Sequence, residues 1–284
     1  MRFDRPATLA DALALLAANP GSTPLAGGTD LMVGINFGRE RPAGILSIRH
    51  LDELKDLLPA NRVRCGAGVT YTRLLGGLGD ATPALRQAAR TVGSPQIRNA
   101  GTVGGNLATC SPAGDTLPVL AALDAEVHVV SAARGVRRLP FSEWMRGPKR
   151  SACEADELVL GVEWDDAGPA QAFLKAGTRN AMVISVASVA LVADRARRTV
   201  RIAIGSAGPV IIRASEAEAF ASGIFDEAGW DSPFSPNSAA LARCGELAAA
   251  AARPIDDQRG TVAYRRHIIA VMTARALRRA ARAA

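Results

Sequence analysis

Gly101-Thr102-Val103-Gly104-Gly105-Asn106-Leu107-Ala108-Thr109-Cys110-Ser111-Pro112-Ala113-Gly114-Asp115 lies in the most glycine-dense stretch of the chain, Gly93 to Gly114, and its reading decides the fold. Small and hydroxylated residues interleaved with glycines can wrap a pyrophosphate with backbone and side-chain donors, while Asn106 and Asp115 can meet ribose-like hydroxyls. Asp115 is equally well placed to cap a helix running from Leu117 through Leu123. Taken alone, it reads as a cap as readily as a ligand contact.

A second glycine turn lies upstream, at Leu25-Ala26-Gly27-Gly28-Thr29-Asp30-Leu31. A short apolar strand, Thr23 to Ala26, runs into Gly27-Gly28 and opens onto a helix, so free N–H groups at a positive dipole end can receive an anion, with Thr29 as a further donor. An ordinary glycine turn fits the same residues. Two separated glycine loops suggest one long ligand touching both, as a dinucleotide would. Standard fingerprints are missing: there is no GxxxxGK[ST] and no GxSxG, and Gly66-Ala67-Gly68-Val69-Thr70-Tyr71 fails GxGxxG at its last position.

The flanking segments supply the frame. Thr8 caps a helix of one-sided leucines, Leu9, Leu13, Leu15 and Leu16, ending near Asn19-Pro20-Gly21. Gly44 to Ile48 and Arg62 to Gly68 read as further short strands of a small mixed sheet. Leu85 to Val92 reads as a helix, and Glu126 to Val130 with Val136 to Leu139 as a hairpin turning at Arg134-Gly135. Asp165-Asp166-Ala167-Gly168-Pro169 breaks the pattern and marks a domain boundary. Beyond it, Gln171 to Lys175, Ser185 to Ala193 and Thr199 to Ser206 form a three-stranded antiparallel sheet. Helices follow from Ser215, interrupted at Pro233 to Pro236 and at Pro254.

Composition narrows the chemistry. The 284 residues are 48% hydrophobic and 21% charged, a globular balance, at roughly 100 to 200 residues per domain. The formal charge of +7 raises a nucleic-acid reading, but the excess is arginine; only Lys55, Lys149 and Lys175 are lysines, and aromatics make up just 4%. Arg265, Arg266, Arg275, Arg278, Arg279 and Arg282 gather in the last helix, as on a solvated face. Cys65, Cys110, Cys153 and Cys244 form no CxxC pair, and His50, His128 and His267 no HExxH, so no metal site is expected on this chain. The longest apolar run, Val183 to Ala193, is short for a membrane span, and Met1 to Pro6 has no signal-peptide core, which gives a cytoplasmic expectation.

Several segments together resemble one family. Phe3-Asp4-Arg5-Pro6-Ala7-Thr8-Leu9, Ala26-Gly27-Gly28-Thr29-Asp30-Leu31, and Thr102-Val103-Gly104-Gly105-Asn106 through Ser111-Pro112-Ala113-Gly114-Asp115 resemble the FAD-binding (medium) subunit of molybdenum hydroxylases, the xanthine dehydrogenase and carbon monoxide dehydrogenase family. Lys175-Ala176-Gly177-Thr178-Arg179 looks like that family's Lys-x-x-x-Arg element, and Asp256-Asp257-Gln258-Arg259-Gly260 with Tyr264-Arg265-Arg266 like its C-terminal signature. The likeness spans essentially the whole chain in order.

The resemblance implies an α+β protein. Residues 1–165 would form a two-lobed FAD-binding domain of the vanillyl-alcohol-oxidase (PCMH) type, with lobes at 1–56 and 57–165. Residues 170–284 would form a CO dehydrogenase flavoprotein C-terminal-like domain. Carried over by position, Ala26, Gly27, Gly28, Thr29, Asp30 and Leu31 would hold the pyrophosphate, with Leu25 in the contact set beside them. Thr102, Gly104, Gly105, Asn106 and Thr109 would line the flavin and its phosphates, and Asp115 would bind a ribitol hydroxyl. Lys175 would lie near the isoalloxazine edge, where a solvated strand lysine is the plainer alternative; Leu160 or its neighbour would pack by the ring or adenine, and Val92 joins the contact set.

It also implies a large molybdopterin-binding subunit and a small [2Fe-2S] subunit as partners, in a dimer of heterotrimers. Electrons would pass from the clusters to FAD and on to NAD or another acceptor. Asn180-Ala181-Met182-Val183-Ile184 lacks the acidic residues common there in NAD-reducing relatives. A stand-alone flavin oxidoreductase, and a non-catalytic nucleotide-binding or basic interaction protein, are the competing readings.

Overall fold

Thr8 and Asp11 close the first helix reciprocally: the Thr8 hydroxyl accepts the Asp11 N–H at 3.1 Å and the Asp11 carboxylate accepts the Thr8 N–H at 3.2 Å. The computed structural model describes residues 1–78 and 81–283. Around that helix lie β1 (Arg2–Asp4), α1 (Leu9–Ala18), β2 (Ser22–Leu25), α2 (Leu31–Asn36) and β3 (Gly44–Ser47). The three strands are parallel in the order β1-β3-β2, with α1 and α2 as the crossovers that parallel pairing requires. Ala12, Leu16, Leu46, Leu51 and Leu54 form their core, joined by Leu158 from the next layer.

The second layer begins with β4 (Leu57–Leu58) and β5 (Arg62–Gly66). Five helices follow: α3 (Tyr71–Gly77), α4 (Pro83–Thr91), α5 (Pro95–Ala100), α6 (Val103–Thr109) and α7 (Leu117–Ala122). The layer closes with β6 (Glu126–Ser131), β7 (Gly135–Pro140), α8 (Phe141–Trp144), β8 (Met145–Gly147), β9 (Arg150–Ser151) and β10 (Glu157–Asp165). Its main sheet is antiparallel, in the order β4-β5-β10-β6-β7. The strand expected at Arg62 to Gly68 thus does not share a mixed sheet with Gly44 to Ile48. Its inward Val63 and Cys65 face a different core, and its ladder runs against β10 with Arg62 opposite Asp165 and Gly66 opposite Gly161.

The third layer carries β11 (Gln171–Ala176), β12 (Ala187–Asp194), β13 (Thr199–Gly205) and β14 (Ile212–Arg213), antiparallel in that order. The sheet therefore has four strands; the three expected ones are joined by a two-residue edge strand too short to show a period. Helices α9 (Ser215–Ala228), α10 (Ser238–Ala251) and α11 (Val262–Ala283) cover one face with a core rich in alanine. The opposite face, through Ala190, Val192 and Ala203, enters the core that holds Leu85, Leu117 and Trp144, so the sheet is buried on both sides. Arg265, itself buried, donates to the carbonyls of Val186 and Ser206 at 2.8 Å each and to Asp257 at 2.6 Å, fastening the turn before α11 to two strand ends. Among the described residues no helix is long and apolar enough to cross a membrane.

Candidate functional site

A cleft of about 1020 Å³ opens between the parallel sheet, the α6 wall and the end of β11. It lies at the upper end of the range for small-molecule sites, roughly 300–1,000 Å³. The two glycine loops meet inside it. A Cβ on Gly27 would overlap the carbonyl oxygen of Ala100, so only glycine allows the backbones to approach this closely, and Gly28 turns the chain at φ +70°.

The loops offer different chemistry. Among the described residues, the N–H groups of Gly27, Gly28, Thr29, Asp30 and Leu31 find no protein acceptor, and all five residues line the cleft. Helix α2 is only six residues long, so these individual amides, more than a macrodipole, are what an anion would meet. The second loop has little backbone capacity left. Val103 donates to Val69 at 2.9 Å, Gly104 to Ala67 at 2.8 Å, Gly105 to the Thr102 hydroxyl at 3.0 Å and Asn106 to Thr102 at 3.0 Å. Its contribution is side chains, with the Asn106 carbonyl oxygen held by the Thr116 hydroxyl at 2.6 Å.

Asp115 does not cap the following helix: α7 has Thr116 at its N-cap and no side-chain capping bond. Instead Asp115 Oδ2 accepts from Lys175 Nζ at 2.5 Å and from the Thr91 hydroxyl at 3.1 Å. Lys175 also donates to the Thr91 carbonyl at 3.2 Å and is 8% exposed, so its ammonium is not a solvated strand end. Burial pushes the Asp115 carboxyl above its ordinary range, against the pull of Lys175. Its second oxygen, Oδ1, is buried with no partner, an open acceptor in the cleft wall.

Leu25, Ala26, Val92, Thr102, Gly104, Gly105, Asn106 and Thr109 line the same cleft with the Gly27–Leu31 loop, Asp115 and Lys175. Leu160 does not; it packs with the core of Leu46 and Leu54, while its neighbours Leu158 and Val159 face the cleft. Sequence reasoning passed over Lys55 and Lys149. All three lysines line the cleft in a chain with 34 basic residues, and that scarcity was the available signal.

One further polar cluster among the described residues is already engaged by arginines. Glu126, His128 and Glu163 bring ligand atoms within 4.8 Å of one another, but Arg62 and Arg64 hold Glu163 at 3.0 and 2.6 Å, and Arg62 reaches Glu126 at 3.3 Å. Burial pushes the Cys65, Cys153 and Cys244 thiols up to about 12 and Cys110 to about 11, so none is a ready nucleophile.

Comparison with known proteins gives consistent matches. The family model described as the FAD binding domain in molybdopterin dehydrogenase matches residues 1–164, and that of the CO dehydrogenase flavoprotein C-terminal domain residues 171–280. The nicotinate dehydrogenase FAD-subunit of Eubacterium barkeri is 40% identical over 194 residues, 65% of each chain, so this match spans just under two thirds of that relative. The xanthine dehydrogenase FAD-binding subunit of Escherichia coli O157:H7 is 31% identical over 292 residues, 99% of this chain and 96% of that one. Reconstituted CO dehydrogenase from Oligotropha carboxidovorans superimposes with a TM-score of 0.86 at 25% identity, over 99% of this chain and 98% of that chain.

Proposed function

This chain belongs to the family of FAD-binding subunits of molybdenum hydroxylases, and from that premise we propose that it collects electrons from [2Fe-2S] clusters on a small partner subunit and delivers them to an acceptor. A large molybdopterin-binding subunit would oxidise the organic substrate, and the three chains would pair as a dimer of heterotrimers in the cytoplasm. The observation that carries the reading is one cleft holding two complementary features, a row of five free amides and an orphaned carboxylate oxygen.

The residues fit FAD. Gly27, Gly28, Thr29, Asp30 and Leu31 would donate to the diphosphate through their N–H groups, with Leu25 and Ala26 leading the strand into the turn. Asn106, Thr102 and Thr109 would add side-chain donors, with Gly104 and Gly105 letting the wall lie close. Asp115 Oδ1 would accept from a ribityl hydroxyl, and Lys175, held by Asp115, would place its ammonium beside the ring edge. Val92, with Leu158 and Val159 in place of the core-packed Leu160, would supply apolar contact. Bound FAD supplies the exchange between single-electron and two-electron transfer.

Residues 1–165 would form the flavin-binding unit and 170–284 the cover whose first strand brings Lys175. The segment Asn180 to Ile184 carries no acid, which favours an acceptor other than NAD. Co-purification from the native source tests the subunit role: the chain should arrive with two partners, one containing iron and one molybdenum. A chain that runs alone and oxidises an organic substrate with FAD would overturn it. Stopped-flow mixing of the reduced complex with NAD decides the acceptor.

A further inference from the structure

Lys149 and Asp30 face each other across the mouth of the cleft, Nζ 3.4 Å from Oδ2, with side chains 62% and 52% exposed. Asp30 stands inside the row of free amides at the N-cap position of α2, yet its carboxylate makes no capping hydrogen bond and turns to Lys149 instead. Lys149 comes from the opposite wall, in the turn between β8 and β9, at a left-handed φ of +55°. Its own N–H donates to the carbonyl of Cys110 at 3.1 Å, anchoring that turn to the end of α6. The pair thus ties the free-amide loop to the α6 wall.

An acid among amides that would hold a diphosphate is electrostatically adverse, because like charges a few ångströms apart repel. We propose that Lys149 is the counter-ion of this loop: its ammonium offsets Asp30 and the adjoining diphosphate together, giving FAD an advantage over a phosphate-free flavin. The inference rests on the assignment of the diphosphate to Ala26–Leu31. Lysine suits the task in a chain that otherwise uses arginine, since a compact ammonium on a flexible stem can be shared between two acceptors. A guanidinium fork would pair with the Asp30 carboxylate on its own.

The test is a titration of the flavin-stripped full chain with FAD and with riboflavin, followed by flavin fluorescence. The unaltered chain should bind FAD more tightly. Lys149→Met should weaken FAD about fivefold, the scale of one partly exposed charge interaction, while leaving riboflavin unchanged; added salt should shrink the loss. Asp30→Asn on the Lys149→Met background should restore most of the FAD affinity. Unchanged FAD binding by Lys149→Met, equal losses for both flavins, or no recovery in the double variant would overturn the proposal. A native chain that binds riboflavin as tightly as FAD would instead sink the diphosphate assignment on which it stands. Thermal melts of each variant separate these outcomes from misfolding.

Discussion

Lys175 Nζ lies 2.5 Å from Asp115 Oδ2, and through this one buried pair the first strand of the C-terminal sheet is fixed to the glycine-rich wall of the cleft. Both groups sit where water does not compete, so the pair sets the position of a cation and of an open acceptor at once.

Removing one member strands the other. Lys175→Met in the flavin-free chain should lower stability by up to about 3 to 5 kcal/mol, with the loss moderated because Asp115, already raised by burial, can take up a proton. Lys175→Met with Asp115→Asn, neutral on both sides, should recover much of it. Urea midpoints of the single and double variants give the comparison, and a double variant no better than the single one would contradict the pairing argument.

Gly27→Ala should separate the two loops, because its Cβ would overlap the Ala100 carbonyl. FAD affinity should fall tenfold or more, about 1.4 kcal/mol, read from the ratio of flavin to protein absorbance after purification. Gly223→Ala is the control: that helical position in α9 has nothing within 4 Å of the added carbon, so it should gain about 1 kcal/mol without changing flavin content.

Acid should weaken the fold through Glu157. Burial raises its carboxyl, but hydrogen bonds from Arg137 at 2.6 and 2.7 Å, the Glu154 N–H and Arg134 outweigh that and hold it below its ordinary 4.5. A depressed acid contributes stability that is present above the ordinary value and lost as pH falls below it. Glu157→Gln should therefore be less stable near neutrality and show a flatter decline from about pH 5 to pH 3 in denaturant midpoints.

Arg265→Lys should not behave conservatively. The guanidinium serves two carbonyls and Asp257 at once, and an ammonium lacks that fork. A lower melting temperature with flavin content intact at room temperature is expected, read by circular dichroism and absorbance.

Much of this was legible where local chemistry writes itself into the chain. Thr8 with its one-sided leucines announced α1, and the glycine pair at Gly27-Gly28 announced the turn from β2 into α2. β10 escaped because Glu157–Asp165 is buried on both faces and shows no alternation, although it is the central strand of its sheet. Asp115 stayed ambiguous because its partner, Lys175, lies 60 residues away. Backbone availability was the other invisible quantity. The amides at Val103 to Asn106 look as free in sequence as those at Gly27 to Leu31, and only the fold shows that Val69, Ala67 and Thr102 engage the former.

The placement of Lys55, Lys149 and Lys175 around a single cleft makes the chain an unusual substrate for amine chemistry. Apart from the α-amino group, every primary amine faces that cleft, so an acylating or reductive-alkylating reagent acts as a reporter of its contents. Attaching the protein to a solid support through lysine would block the site it was meant to display. Attachment through carboxyl groups would leave the cleft open.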